Sequence, residues 1–402
     1  MFKSLFFCVF IFTMYAHAEY SWSYDAFISG TQRSISDSTI NPNNIFNFYS
    51  AASQVDQRAE VKWTEDDTKI VFRPRWISET HQSDQIDISD LFYEQLWLTG
   101  SKSLSTTLGL QSYQWGGAEA LNPTNPFFHF DLNQRGTFFK EKGHVLARLD
   151  YSIGDQNNFS VVIEPISNNA SFWIAEKNFT AQGILKFEKS FTGSRNLIGA
   201  VVGKSDQSQF FFGEEFTYEI VDGITTYLDT KQSYKNRNYR SVQTGLVYDM
   251  AEVENESLQN FLVYGLRYEG DFDVRAEYIY NQAGYTQDEY DGAVLSAANF
   301  LSPRYASNLQ RYLKPGLELL RQNYLYISIR KSDPLNIKDF NIYLREMYNL
   351  DNYYGFVQIE FDKAISNNFT ILGSASKFFG DIDSEFGRFS EQSLNLGLKL
   401  SF

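Results

Sequence analysis

Residues Leu394 to Phe402 read LNLGLKLSF. Successive side chains in a β-strand point to opposite faces, so Leu394, Leu396, Leu398, Leu400 and Phe402 share one face. Asn395, Gly397, Lys399 and Ser401 take the other. Such a strand either covers the core of a soluble domain or stands with lipid on one side and water on the other. The remainder of the sequence decides between the two.

The start of the chain, MFKSLFFCVFIFTMYAHA, has an early Lys3, an apolar run from Leu5 to Met14, and a small-x-small ending at Ala16-His17-Ala18. That is the pattern of a cleaved secretory signal peptide over 1–18, too short to span a bilayer as a helix. Residues 19–402 are then the exported domain. Cys8 is the only cysteine, so the exported chain has no disulfide and no cysteine-based metal or nucleophile chemistry. The formal charge is −14 at pH 7, and removal of the leader makes the chain one unit more negative. This acidic balance argues against nucleic acid as a partner, because nucleic-acid surfaces are basic.

Beyond Ala18 no stretch approaches the apolar length of a spanning helix. A chain of this kind can cross a membrane only as strands closed into a barrel, the other arrangement that satisfies every backbone polar group in lipid. The negative mean hydropathy does not oppose this, since half of each strand faces water. The 36 Phe, 26 Tyr and 6 Trp make 17% of the chain, a supply suited to the aromatic girdles at the two membrane surfaces.

Period-two segments recur along the chain. Val274, Ala276, Tyr278 and Tyr280 oppose Arg275, Glu277 and Asn281; Val357, Ile359 and Phe361 oppose Gln358, Glu360 and Asp362; Leu325, Ile327 and Ile329 oppose Tyr324, Tyr326, Ser328 and Arg330. Reading the whole chain this way gives nineteen strand segments, among them 223–233, 239–249 and 259–270. Bacterial single-chain barrels have an even number of strands, so one segment is surplus and is expected between residues 181 and 233. The reading is therefore all-β: one transmembrane antiparallel up-and-down β-barrel of about 18 strands, with 16 the next choice. Short turns at 65–67, 100–101, 154–157 and 366–368 alternate with long connections at 30–52, 116–142, 168–180, 286–315 and 381–390. Asp291 to Phe300 has good helix formers and a stop at Pro303, which predicts a short helix in a long extracellular loop.

The alternation closing on an aromatic residue resembles the terminal strand of Gram-negative outer-membrane proteins. That resemblance implies Phe402 as the signal read by the barrel-assembly machinery, with outer-membrane lipids and lipopolysaccharide as surroundings. A second stretch, Gly109 to Pro126 followed by Asp131, places Trp115-Gly116 after a strand and then Asn122-Pro123 and Pro126. With residues 86–165 and Tyr278 to Tyr285, this resembles porin-like outer-membrane barrels. The resemblance implies a channel for passive diffusion of small hydrophilic solutes. Homo-oligomerisation is compatible with a porin of this size, though no interface is legible.

Physically, Trp115-Gly116 is expected where a strand leaves the membrane, with the indole at the interface. Pro123 and Pro126 stiffen a loop that carries Phe127, Phe128, His129 and Phe130. The 116–142 loop either folds into the lumen as a constriction or packs as an ordered outer loop. The inward faces are expected to carry Arg73, Arg75, Arg148, Arg240, Arg267, Arg275, Arg330 and Arg345 against Glu60, Glu94, Asp150, Glu164, Glu277, Glu318 and Glu360. Most of these read as mutually neutralising pairs along a wet wall. Arg73 and Arg75, beside Lys69, are the expected anion-attracting patch.

An enzyme is not expected. His81, His129 and His144 are not at metal-ligand spacing, and there is no nucleophile elbow, phosphate loop or calcium loop. No cofactor is implied. The competing readings are a barrel that acts through its loops, as adhesin or structural protein, and, behind it, an outer-membrane hydrolase with a Ser/His/acid set drawn from separate strands.

Overall fold

A computed structural model describes residues 19–127, 143–165, 182–192, 195–205, 210–234, 236–244, 247–313, 317 and 319–402. The leader, together with Phe128, His129, Phe130, Asp131 and Glu318, lies outside them.

The first half of the chain supplies β1 (Glu19–Ile35), β2 (Ala51–Glu65), β3 (Thr68–Glu79), β4 (Gln85–Thr99), β5 (Lys102–Gln111), β6 (His144–Ile153), β7 (Asn157–Glu164), β8 (Gln182–Ser190) and β9 (Leu197–Ser205). It continues with β10 (Phe210–Val221), β11 (Ile224–Tyr234), β12 (Asn236–Thr244) and β13 (Val247–Asn255). The last strands are β14 (Gln259–Glu269), β15 (Asp273–Asn281), β16 (Asn323–Ser332), β17 (Phe340–Asn349), β18 (Tyr354–Ser366), β19 (Phe369–Phe379) and β20 (Ser390–Ser401). Eighteen of them form one antiparallel sheet. Each pairs with its neighbour in sequence, except that β11 pairs β14, and β1 closes the barrel by pairing both β2 and β20. Closure removes every edge from this eighteen-stranded sheet, so none of its strands is left with a row of unpaired backbone groups facing lipid.

The surplus segment is not where the sequence reading put it. β8 to β11, which cover residues 181–233, all belong to the barrel. The outsider is the stretch expected as a strand at 239–249. It lies in a hairpin, β12–β13, whose strands pair only with each other. Alternation is a local property and does not record which sheet a strand joins. Arg240 is thereby removed from the lumen wall and pairs instead with Glu289.

The hairpin packs on α1 (Gln287–Ala298) and α2 (Tyr305–Leu313), so the predicted helix is present and has a companion. Thr286 starts α1 with a reciprocal capping box to Glu289. Tyr285, Tyr290, Ala293, Val294, Ala297 and Tyr312 form an apolar core there with Ile40 and Met250. This cap stands at the long-loop end. Burial pushes the Glu385 carboxyl in the β19–β20 loop above its ordinary range, against the opposing pull of hydrogen bonds from Tyr324 and Asn349.

The terminal alternation is used as read. Leu394, Leu396 and Leu398 stand 40–52% exposed on the outer surface, where lipid covers such a face. The Phe402 N–H donates to the Tyr24 carbonyl at 2.9 Å, and the Tyr24 N–H donates back at 3.1 Å. The last residue thus locks the seam at the short-turn end. Among the described residues no helix is long and apolar enough to cross a membrane.

Candidate functional site

The chain leaving β5 turns inward and crosses the lumen. Gly116 makes the turn at φ +89°, and a Cβ there would overlap the Asn122 side chain, so only glycine fits without strain. The two Asn-Pro pairs then set the path. Proline lacks an N–H and keeps the preceding residue extended. Each asparagine supplies the missing turn bond through its side chain: Asn122 Oδ1 accepts from Thr124 N at 3.1 Å, and Asn125 Oδ1 from Phe127 N at 3.0 Å. Asn122 Nδ2 also donates to the Trp115 carbonyl, closing the loop on itself.

Two apolar pads on different sectors of the wall receive this loop. Trp115 and Phe127 pack on Leu146, Val162, Ile184, Val201 and Phe211 from β6 to β10. Ala118, Ala120 and Leu121 pack on Tyr227, Val263, Ile279, Tyr326 and other inward residues of β11 and β14–β18. The Tyr227 ring lies in a groove open only because residue 265 is glycine, where a Cβ would come within 2.2 Å of it.

Polar contacts fix the loop between the pads. The fully buried Glu277 carboxylate accepts the N–H groups of Glu119 at 2.6 Å and Ala120 at 2.9 Å, and the Tyr227 hydroxyl at 2.5 Å. Asp229 accepts the Ala118 N–H at 3.1 Å. At the other pad the Trp115 Nε1–H donates to Thr124 Oγ1 at 3.2 Å, and that hydroxyl lies 2.7 Å from Glu215. Lys186, buried beneath the Trp115 ring, pairs with Glu188 and Glu215. His144 meets Glu164 at 3.1 Å and packs edge-on to Phe127. Buried charges here are paired or hydrogen-bonded, as an interior requires.

The loop tip closes one side of a polar cavity of about 440 Å³, lined by Glu119, Arg267, Arg275, Arg330, Tyr343, Arg345 and Glu360 among others. Arg345 pairs with Glu360 at 2.6 Å and lies over the Tyr343 ring. Arg267 is held by Asp273 through both carboxylate oxygens, at 2.9 and 2.7 Å. These residues come from the short-turn halves of β14 to β18, so the cavity lies below the loop.

Several expectations change. Trp115 is not at the membrane interface: it is 9% exposed inside the barrel, anchoring the loop. Phe127 does not line the opening, because it is buried between Trp115 and His144. Arg73 and Arg75 are no anion patch. Arg73 is shared between Glu60 and Asp90, and Arg75 makes a two-point bridge to Asp56. Arg148 is likewise held by Asp150 at 2.7 Å. Of the residues expected at the constriction, Arg275 and Glu277 do meet the loop, one through the Glu119 side chain and the other through its backbone. Pro123 and Pro126 lie in the loop, each beside an asparagine whose side chain bonds the turn.

The reading missed Glu119, Asp229, Glu215 and Tyr227, and it missed the pads. Their signal was present. Alternation fails at Val161-Val162-Ile163, Phe210-Phe211-Phe212 and Phe261-Leu262-Val263, and a strand apolar on both faces is covered on both. Among the described residues no group of three or more His, Cys, Asp or Glu is placed to hold a metal ion.

No family model matches the sequence, and no curated protein matches it. Solved structures do share the fold. OccK2 (OpdF) of Pseudomonas aeruginosa in complex with glucuronate superposes with a TM-score of 0.56 at 10% identity, covering 96% of this chain and 98% of that one. OpdL of the same organism gives 0.54 at 11% identity, with coverages of 96% and 99%. A BenF-like porin from Pseudomonas fluorescens Pf-5 gives 0.54 at 9%, again with 96% and 99%. At such identities the likeness establishes the barrel architecture.

Proposed function

We propose that this protein is an outer-membrane channel for passive diffusion of small hydrophilic solutes. The observation that carries the reading is the 112–127 loop, which is fixed between two sectors of the inner wall and borders a polar, charge-lined cavity. A barrel of eighteen strands is too wide for side chains to plug, so a structural barrel needs no inward loop. Here both faces of the loop are built for that position. Porin crystal structures of the same architecture, one of them holding glucuronate, support the reading.

The charges around the opening are mixed, with Arg267, Arg275, Arg330 and Arg345 facing Glu119, Asp273, Glu360 and Asp362. Fixed charges act most strongly where the path is narrow and water-poor. Polar solutes, charged or neutral, find partners of either sign there. Recording the purified protein in planar bilayers tests the function directly. Discrete conductance steps with a reversal potential in a salt gradient are expected, and a silent barrel would return the protein to the adhesin or structural reading.

A further inference from the structure

The Glu119 side chain is held in a way that anchoring the loop does not require. The tip is already fixed through its backbone, on Glu277 and Asp229. Yet the Glu119 carboxylate is bound by a complete donor set from the barrel wall. Oε1 accepts the Tyr326 hydroxyl at 3.0 Å and the Tyr343 hydroxyl; Oε2 accepts the Ser328 hydroxyl at 3.1 Å and lies 3.1 Å from Arg275 Nε. Three strands, β15, β16 and β17, converge these groups on one planar anion. Each oxygen receives two donors, which is how a free carboxylate satisfies its lone pairs.

We propose that these four wall residues form a carboxylate-binding site, that Glu119 occupies it as a tethered ligand, and that a solute carboxylate passes by taking its place. The inference rests on the channel reading. Three observations carry it. The site opens onto the aqueous path: Glu119 keeps 19% of its side chain exposed, and Glu119, Arg275, Ser328 and Tyr343 all line the cavity. The Arg330 side chain, on the same cavity wall, makes no hydrogen bond or close ion pair among the described residues, and its charge is felt only at longer range, by Asp273. It stands ready to receive an arriving anion. The four donors also meet a carboxylate both before and after the exchange, so neither bound state leaves a buried donor unpaired.

A tethered ligand competes at an effective concentration of roughly millimolar or more. A carboxylate that binds the wall residues no more tightly than Glu119 must therefore exceed that level to displace it. Neutral solutes do not compete for the site, so loss of Glu119 changes their affinity much less than that of carboxylates.

The test uses the full-length protein in planar bilayers, with sodium gluconate as carboxylate probe and arabinose as neutral probe. The readout is the concentration that half-blocks the chloride current. In Glu119→Ala the gluconate value should fall by about tenfold or more, the loss of a charge-assisted competitor, with a much smaller shift for arabinose. Adding Ser328→Ala and Tyr343→Phe should remove that gain. Equal gluconate values in wild type and Glu119→Ala, or equal shifts for both probes, overturn the proposal. Glu119→Gln, which keeps the shape, guards against a variant that does not assemble. Calorimetric titration of gluconate into the detergent-solubilised variants separates this idea from the channel reading. Binding by Glu119→Ala without any conductance would fail the channel alone, and no binding by a correctly assembled Glu119→Ala would fail the site.

Discussion

The backbone N–H of Glu119 donates to the Glu277 carboxylate at 2.6 Å, joining residues 158 apart in the chain. Glu277 is fully buried, and its charge is met by two backbone N–H groups and the Tyr227 hydroxyl. A strand residue thereby fixes the position of the loop that narrows the barrel.

Glu277→Ala is expected to release the tip. The N–H groups of Glu119 and Ala120 lose their acceptor, at about 1–3 kcal/mol for each buried group left unpaired. The barrel wall itself does not depend on this contact. Bilayer recordings should show a larger and noisier conductance, while heat-modified mobility on gels stays that of the folded barrel. Unchanged conductance would mean that the pads alone hold the loop.

Gly116→Ala tests the turn that sends the chain inward. Its φ of +89° and the overlap of any Cβ with Asn122 make the substitution strained by about 1–3 kcal/mol. The expected result is protease cleavage within 112–127 in a barrel that still assembles. Gly30→Ala is the control, since nothing lies within 4 Å of a Cβ there.

Arg73→Glu combined with Arg75→Glu is expected to damage assembly more than selectivity. Arg73 sits between Glu60 and Asp90, and Arg75 is bridged to Asp56, so reversal gathers these three carboxylates against two new acids at short range. Breaking a partly buried pair of this kind costs about 3–5 kcal/mol. Yield of heat-modifiable protein should fall. A normal yield with only a shifted reversal potential would show that these arginines act on ions and not on the wall.

Deleting Phe402, or replacing it by Asp, should lower assembly and leave export intact. The Phe402 backbone closes the seam with Tyr24, and its ring, 63% exposed, lies 6.2 Å from the Tyr24 ring. Periplasmic accumulation of unassembled chain is the measurement. Wild-type amounts of assembled protein in both variants would place the assembly signal elsewhere.

The sequence by itself determined the class of fold and most of its parts. Inside and outside alternate every residue in a barrel wall, so Leu394 to Phe402 and Val357 to Phe361 carry their orientation in their own order. Turn chemistry is equally local, and the Asn122-Pro123 and Asn125-Pro126 pairs announce a stiff, bent segment. What the alternation could not carry was partnership. The residues 239–249 look like any wall strand, and only the three-dimensional pairing shows that β12 and β13 stand apart from the barrel. Arg73 and Arg75 look like free cations until β2 and β4 bring Glu60, Asp56 and Asp90 beside them. The site was hidden for the same reason. Glu119, Asp229 and Glu277 are far apart in the chain and mean nothing singly; barrel closure places their strands around one loop tip. Contacts between distant segments depend on register and on the path of the loop through the lumen, and neither is written in a local pattern.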